Sequence, residues 1–168
     1  MKKFLAFLSA ILAICCLCAC TPRKTTYNSQ DILKIETVWS EGFAPFPREF
    51  VRTFDFPNGT ITDTCRADEE YLDATNRVQY NHPKKIATFT EEQGQALIDT
   101  IGALGFFDWE EEYRTDDVIF DGGTHCVNVY FADGTKKSTL IYFSDPPNYD
   151  EIREAFESAF GVAMYLQL

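Results

Sequence analysis

The sequence predicts an α+β domain: an antiparallel sheet built from hairpins, with two main helices packed on one face. Three observations predict it. Alternating apolar and polar segments are joined in pairs through Asn-Gly and Asp-Gly turns. Two amphipathic segments carry helix caps and glycine stops. The order strands, helix, strands, helix lacks the strand-helix-strand crossovers of a parallel sheet. Hairpin followed by helix occurs twice, although the two halves share no further spacing that aligns.

The chain opens with Met1, Lys2 and Lys3, then an apolar run of 14 residues from Phe4 to Leu17. A bilayer-spanning helix needs about 20 apolar residues, so the run reads as a secretory signal rather than a permanent span. It ends in "CCLCAC", which holds four of the six cysteines. Leu17-Cys18-Ala19-Cys20 resembles the lipobox of bacterial lipoproteins: an aliphatic residue at −3, small residues at −2 and −1, then cysteine. The resemblance implies cleavage before Cys20 and a diacylglycerol group on its thiol, which would anchor the protein on the extracytoplasmic face of the membrane. Two acyl chains suffice for this, since each buried methylene contributes about 0.8 kcal/mol. The competing reading, a zinc or iron-sulfur site, wants separated cysteine pairs on a backbone that folds around the ion. Here the thiols lie on one apolar segment with no His, Asp or Glu among them, and no metal or other cofactor is expected.

Residues 1–19 are therefore expected to be removed, with 20–30 as lipidated cysteine and polar tether and 31–168 as a single domain. The 168 residues carry a net charge of −11, and losing Lys2 and Lys3 makes it −13. A surface that negative repels phosphate, so a nucleic-acid partner is disfavoured. Two cysteines lie outside the cluster, Cys65 and Cys126. An even pair in an exported chain suggests a disulfide, here closing a loop of 61 residues (126 − 65). The chain-entropy gain for that length is about 4 kcal/mol. Two half-buried thiols are the alternative, expected in a reducing habitat, and the sequence favours neither.

Within the domain, "ILKIETVWS" alternates with Leu33, Ile35, Thr37 and Trp39 on one face. "EGFAPFPR" interrupts it with Gly42, Pro45 and Pro47, leaving Phe43 and Phe46 on a loop as a candidate contact patch, or as a plug for the end of the sheet. "EFVRTFDF", the turn "PNG" and "TITDTCR" then read as a hairpin with Phe50, Phe54 and Phe56 sharing a face. "ADEEYLDATNR" is a polar connection, and "VQYNHPKKIATF" contains one or two short strands broken at Pro83.

"TEEQGQALIDTIGALG" has full helix grammar: Thr90 as cap, Gln93 three residues on, Glu91 and Glu92 in the first turn, and Gly105 as stop. Leu97, Ile98, Ile101 and Leu104 form its apolar stripe, and the internal Gly94 and Gly102 suggest close packing. "THCVNVYF" and "KKSTLIYF", joined through Asp133-Gly134, give the second hairpin, with His125, Val127, Val129 and Phe131 on one face. "PPNYDEIREAFESAFG" is a helix capped by Asn148 and ended by Gly161, and "VAMYLQL" is a last strand or a docked tail.

Candidate chemistry is thin. Asp116, Asp117, Asp121 and Gly122 suggest a calcium loop, but counting from Asp117 places Ile119 at position 3 and Asn128 at position 12, which breaks the EF-hand pattern. His82 and His125 are the only histidines. His125 cannot pair with Cys126, because neighbours on a strand face opposite ways. "DWEEEY" places Trp109 and Tyr113 around Glu110, Glu111 and Glu112. That is the composition of a glycan site, with stacking faces and paired carboxylates, and equally of an amphipathic segment's solvated end.

From "GFFDWEEEY" through the second hairpin to "DPPNYDEIREAF", the chain looks like the C-terminal half of uncharacterised lipoproteins of gut Firmicutes. The matching features are an aromatic "FF", an Asp-Gly, an alternating strand, a "DG" turn, a second strand and a proline-led helix. The resemblance implies a shared fold and surface address, with no activity to carry over. The expectation is a lipid-anchored extracytoplasmic domain that binds an envelope protein or ligand without catalysis, Phe43, Phe46, Trp109 and Tyr113 being candidate contacts. The alternatives are an envelope hydrolase or glycan-processing enzyme that uses the acidic cluster, and an inhibitor or immunity module.

Overall fold

The computed structural model describes residues 27–40, 48–67, 82–115 and 123–166. Seven strands form one sheet: β1 (Ile32–Ser40), β2 (Arg48–Asp55), β3 (Thr60–Ala67), β4 (Lys84–Thr88), β5 (Glu112–Arg114), β6 (Thr124–Phe131) and β7 (Lys136–Tyr142). Their spatial order is β4-β3-β2-β1-β6-β7-β5. All pairings are antiparallel except β5 with β7. The helices are α1 (Glu91–Ala103) and α2 (Tyr149–Phe160). The expected α+β architecture is the one found.

The cross-strand register sorts the side chains into two faces. Ile61, Phe54, Ile35 and Val129 lie in one row, and each is at most 3% exposed. They share a core with Leu97, Ile98 and Ile101 of α1 and with Ile152 and Phe156 of α2, so both helices cover this face. Aromatic rings fill the interface, with Phe54 and Phe156 centroids 4.8 Å apart and Phe89 and Phe160 4.5 Å apart. The segment after α2 docks on the same face rather than adding a strand. Thr37 donates to the Met164 carbonyl at 2.6 Å, and the Arg52 guanidinium donates to the carbonyls of Ala163 and Tyr165. Arg52 also grips Asp63 through two bonds of 2.8 Å.

Local details depart from the sequence reading for identifiable reasons. A bulge between Ile32 and Lys34 breaks the alternation of β1, so Ile32 is fully buried and Leu33 points outward at 42% exposure. In the β2–β3 turn only Gly59 has positive φ, at 56°. Asn58 instead bonds back to Asp55 through its amide and side chain. A side chain at Gly59 would clash with the Phe89 carbonyl as well as strain the backbone. The α1 capping box forms, with Gln93 N–H donating to the Thr90 hydroxyl at 3.2 Å and Thr90 N–H donating to the Gln93 side chain at 2.9 Å.

Gly94 does mark close packing, since a Cβ there would meet the Phe89 ring at 3.1 Å and the Phe56 ring at 3.3 Å. At Gly102 the nearest contact would be an ordinary 3.6 Å. Asn148 sits at the start of α2, but in a left-handed conformation its side chain makes no cap bond there. It donates instead to the Leu104 carbonyl at 2.9 Å, joining the start of α2 to the end of α1. Among the described residues no helix is long and apolar enough to cross a membrane.

Candidate functional site

Where the helix-covered face of the sheet meets α2 and the chain's last turn, an open groove of about 930 Å³ remains. Each wall follows from a local rule. Trp39 and His125 face each other across β1 and β6 at the end of the sheet, on the same side as the core. Asp150, Arg153, Glu154 and Glu157 recur at the 3- and 4-residue spacing that lines one edge of α2. Tyr149, Ile152 and Phe156 point from the same helix into the core. Phe143 and Asp145 come from the connection after β7, and Tyr165 from the docked tail. Phe143 holds a φ of 58° while 41% exposed, an uncommon backbone state for an aromatic residue. Gly123 must lack a side chain, because a Cβ would collide with the Trp39 indole and lie 2.8 Å from the Ser40 carbonyl.

Beneath the groove lies a polar aromatic cluster. His125 Nδ1 is 3.1 Å from the Tyr149 hydroxyl, and the His125 and Tyr165 rings are 4.5 Å apart. Burial pushes the His125 pKa below its usual value; the Arg153 charge adds to this and Asp145 partly opposes it. The imidazole is therefore neutral at pH 7. Burial likewise raises the Tyr149 and Tyr165 hydroxyls, Tyr165 most strongly. The Tyr165 oxygen is buried, and its polar neighbour is the Tyr149 hydroxyl, which acts on its titration through charge and hydrogen bonding. Arg153 sits 5.7 Å above the Tyr149 ring centre and pairs with Asp150 at 3.2 Å.

The contact residues expected from sequence are distributed differently. Trp109 is not a surface contact: it is 4% exposed, packs 4.9 Å from Phe106, and donates its indole N–H to the Pro147 carbonyl at 3.1 Å. Tyr113 is half-buried and its hydroxyl accepts the Glu110 N–H at 3.0 Å. Glu110, Glu111 and Glu112 are exposed at the sheet edge and none lines the groove. Among the described residues, the paired-carboxylate cleft that a glycan-processing site there requires is therefore not assembled. The backbone explains this segment better, since Glu110 and Glu111 carbonyls accept from Thr139 and Leu140 and so hold β5 against β7.

Cys65 and Cys126 are not bonded to each other. Cys65 shares a row with Phe50, Trp39 and His125, whereas Cys126, the next residue after His125, faces the other side. Three inter-strand steps of about 4.8 Å separate their strands, well beyond the ~7 Å between Cα atoms that a disulfide spans. Cys20, Phe43, Phe46 and the acidic run Asp116, Asp117 and Asp121 lie outside the described residues. His82 is exposed. Among the described residues no group of three or more His, Cys, Asp or Glu side chains could hold a metal ion.

Trp39, Tyr149, Arg153 and Tyr165 were not legible as a site because three separate segments, β1, α2 and the docked tail, supply them. The usable signal was the charged edge of α2 beside an apolar tail. Comparison with protein-family models, curated proteins and solved structures gives no match.

Proposed function

We propose that this chain is a binding domain held at the outer face of the membrane by lipid on Cys20, and that the groove between α2, the docked tail and the end of β1 and β6 receives its ligand. The observation that carries the binding half is the groove itself, about 930 Å³ walled by Trp39, Phe143, Tyr149 and Tyr165. A concave site with aromatic faces and a few convergent polar groups is the usual form of a ligand pocket. The described lining sets these aromatic faces beside four carboxylates, Asp145, Asp150, Glu154 and Glu157, and its imidazole is engaged by Tyr149. The anchoring half rests on the 14-residue apolar run closed by Leu17-Cys18-Ala19-Cys20.

The two halves are tested separately in the full chain. Produced in a bacterial host fed an alkyne-bearing fatty acid, the chain is expected to take up label and sediment with membranes, and Cys20→Ser is expected to lose both. Membrane retention of unlabelled Cys20→Ser would refute the anchor. For the groove, saturation-transfer NMR of the detergent-solubilised chain against amino acids, short peptides and oligosaccharides is expected to give contacts that Tyr149→Ala abolishes. Contacts indifferent to that change, or none in any class, would refute the groove as the binding site.

A further inference from the structure

We infer that Asn58 is a site of spontaneous deamidation which the native β2–β3 turn holds back, so that the modification permanently marks a chain that has opened. Asn58-Gly59 is the one Asn-Gly pair in the chain, and Asn58 is exposed. In such a pair the glycine has no side chain to screen its amide nitrogen. Once that N–H has lost its proton to base, the nitrogen attacks Cγ of the asparagine. The N–Cγ bond forms, the Cγ–Nδ2 bond breaks, and Nδ2 takes a proton from water and leaves as ammonia. Water then opens the resulting cyclic imide on either side. Cleavage of the new bond gives aspartate. Cleavage of the original peptide bond gives isoaspartate, in which the main chain runs through the side chain and is one carbon longer.

Both reacting groups are engaged in the folded turn. The Gly59 N–H donates to the Phe56 carbonyl at 3.2 Å, which shields the proton that has to leave. The Asn58 side-chain amide donates to one Asp55 oxygen at 2.9 Å, and the Asn58 backbone N–H donates to the other at 3.1 Å. These bonds tie the side chain to Asp55, whereas attack needs it free to bring Cγ within about 3–3.5 Å of the nitrogen in the right alignment. An aspartate formed in the closed turn would also set a second carboxylate against Asp55 where an amide now donates.

The position matters because Gly59 seats its neighbours. It holds a φ of 56°, its carbonyl accepts the Phe89 N–H at 2.9 Å, and a Cβ on it would clash with the Phe89 carbonyl. The Phe89 ring in turn lies where a Cβ on Gly94, one turn into α1, would meet it. One extra main-chain carbon just before Gly59 shifts it out of register with Phe56 and Phe89, and loosens the join between the β2–β3 turn, β4 and α1.

The test incubates the full chain in detergent at mildly alkaline pH, either native or unfolded in guanidinium chloride. Peptide mass spectrometry then follows residue 58, with chromatographic separation of aspartate from isoaspartate. Conversion is expected to be at least about tenfold faster in the unfolded chain, since the native turn reacts only through its open fraction. In native buffer Asp55→Ala, with its fold checked by circular dichroism, is expected to convert several-fold faster than the parent. Asp55→Asn, which keeps an oxygen acceptor, is expected to stay near the parent. Amide exchange at Gly59 in the unaltered chain is expected to be slowed along with conversion, a reading that needs no variant. After refolding, isoaspartate chains are expected to have lost exchange protection at Phe89 and aspartate chains to have kept it. Equal conversion in native and unfolded chains, a folded Asp55→Ala no faster than the parent, or an unprotected Gly59 amide overturns the inference. Intact protection at Phe89 in isoaspartate chains overturns the link to β4 and α1.

Discussion

Glu36 lies on the sheet face away from the helices, 5% exposed, yet its carboxyl titrates below the usual range. Burial alone would raise it. Hydrogen bonds from Lys34 and Tyr130, both at 2.8 Å, and the charges of Lys34 and Arg66 outweigh that effect. Tyr130 carries the reciprocal signature: burial first, then its bond to Glu36, push its hydroxyl up to about 12. The signs differ. A lowered carboxyl contributes stability above its unfolded value, and this is lost as pH falls below about 4.5. A raised phenol contributes stability below pH 10, lost as pH rises toward 12. Tyr130→Phe is expected to cost on the order of 1 kcal/mol at pH 7, because water partly replaces the lost partner. It should also flatten the loss of stability between pH 10 and 12, measured by urea unfolding at a series of pH values. An alkaline limb unchanged by the substitution would show that another group controls it.

At the scale of elements, α1 depends on its first turn more than on its interior. The Thr90–Gln93 box satisfies two amides that the helix leaves open, so Thr90→Ala is expected to lower stability by about 1 kcal/mol. For a domain of this size that is a fall of about 3 °C in the thermal midpoint. Calorimetry should resolve it, and a variant melting with the parent would mean that Gly94 packing alone seats the helix.

The same element shows what the sequence made legible. Caps, glycine stops and hairpin turns are decided by residues within a few positions of one another, so α1, both hairpins and the end of α2 at Gly161 were readable. Tertiary geometry decided the rest. The bulge that exposes Leu33 arises from pairing with β6, almost a hundred residues away in the chain. Asn148, left-handed in its backbone, caps the end of the neighbouring helix rather than its own, a partner 44 residues away that local sequence does not reveal. Trp109 reads as a contact residue beside three glutamates, and only the parallel pairing of β5 with β7 shows that those acids face solvent while the indole turns inward.

For the molecule as a whole, the docked tail is the closing piece of the core. Met164 is 1% and Tyr165 7% exposed, and burying side chains of this size contributes about 1.5–3 kcal/mol each. Removing residues 162–168 would also strip Thr37 and Arg52 of carbonyl partners on the covered face of the sheet. Breaking the setting of a buried charge costs about 3–5 kcal/mol. A chain ending at Gly161 is therefore expected to lose most of its stability, seen as a collapse of amide-exchange protection in β1 and β2. Full protection in that chain would show that the tail merely rests on a finished sheet.

The docked tail also sets a schedule. Thr37 meets Met164 across 127 residues of sequence, and Arg52 meets Ala163 across 111. Chains are made and moved N-terminus first, so β1 and β2 exist long before the carbonyls that complete their buried polar groups. Until the final turn arrives, the sheet carries a half-satisfied guanidinium and an open flank. The domain is thus built to lock late: the buried polar groups of β1 and β2 are completed only once residues 163–165 have been made and have docked.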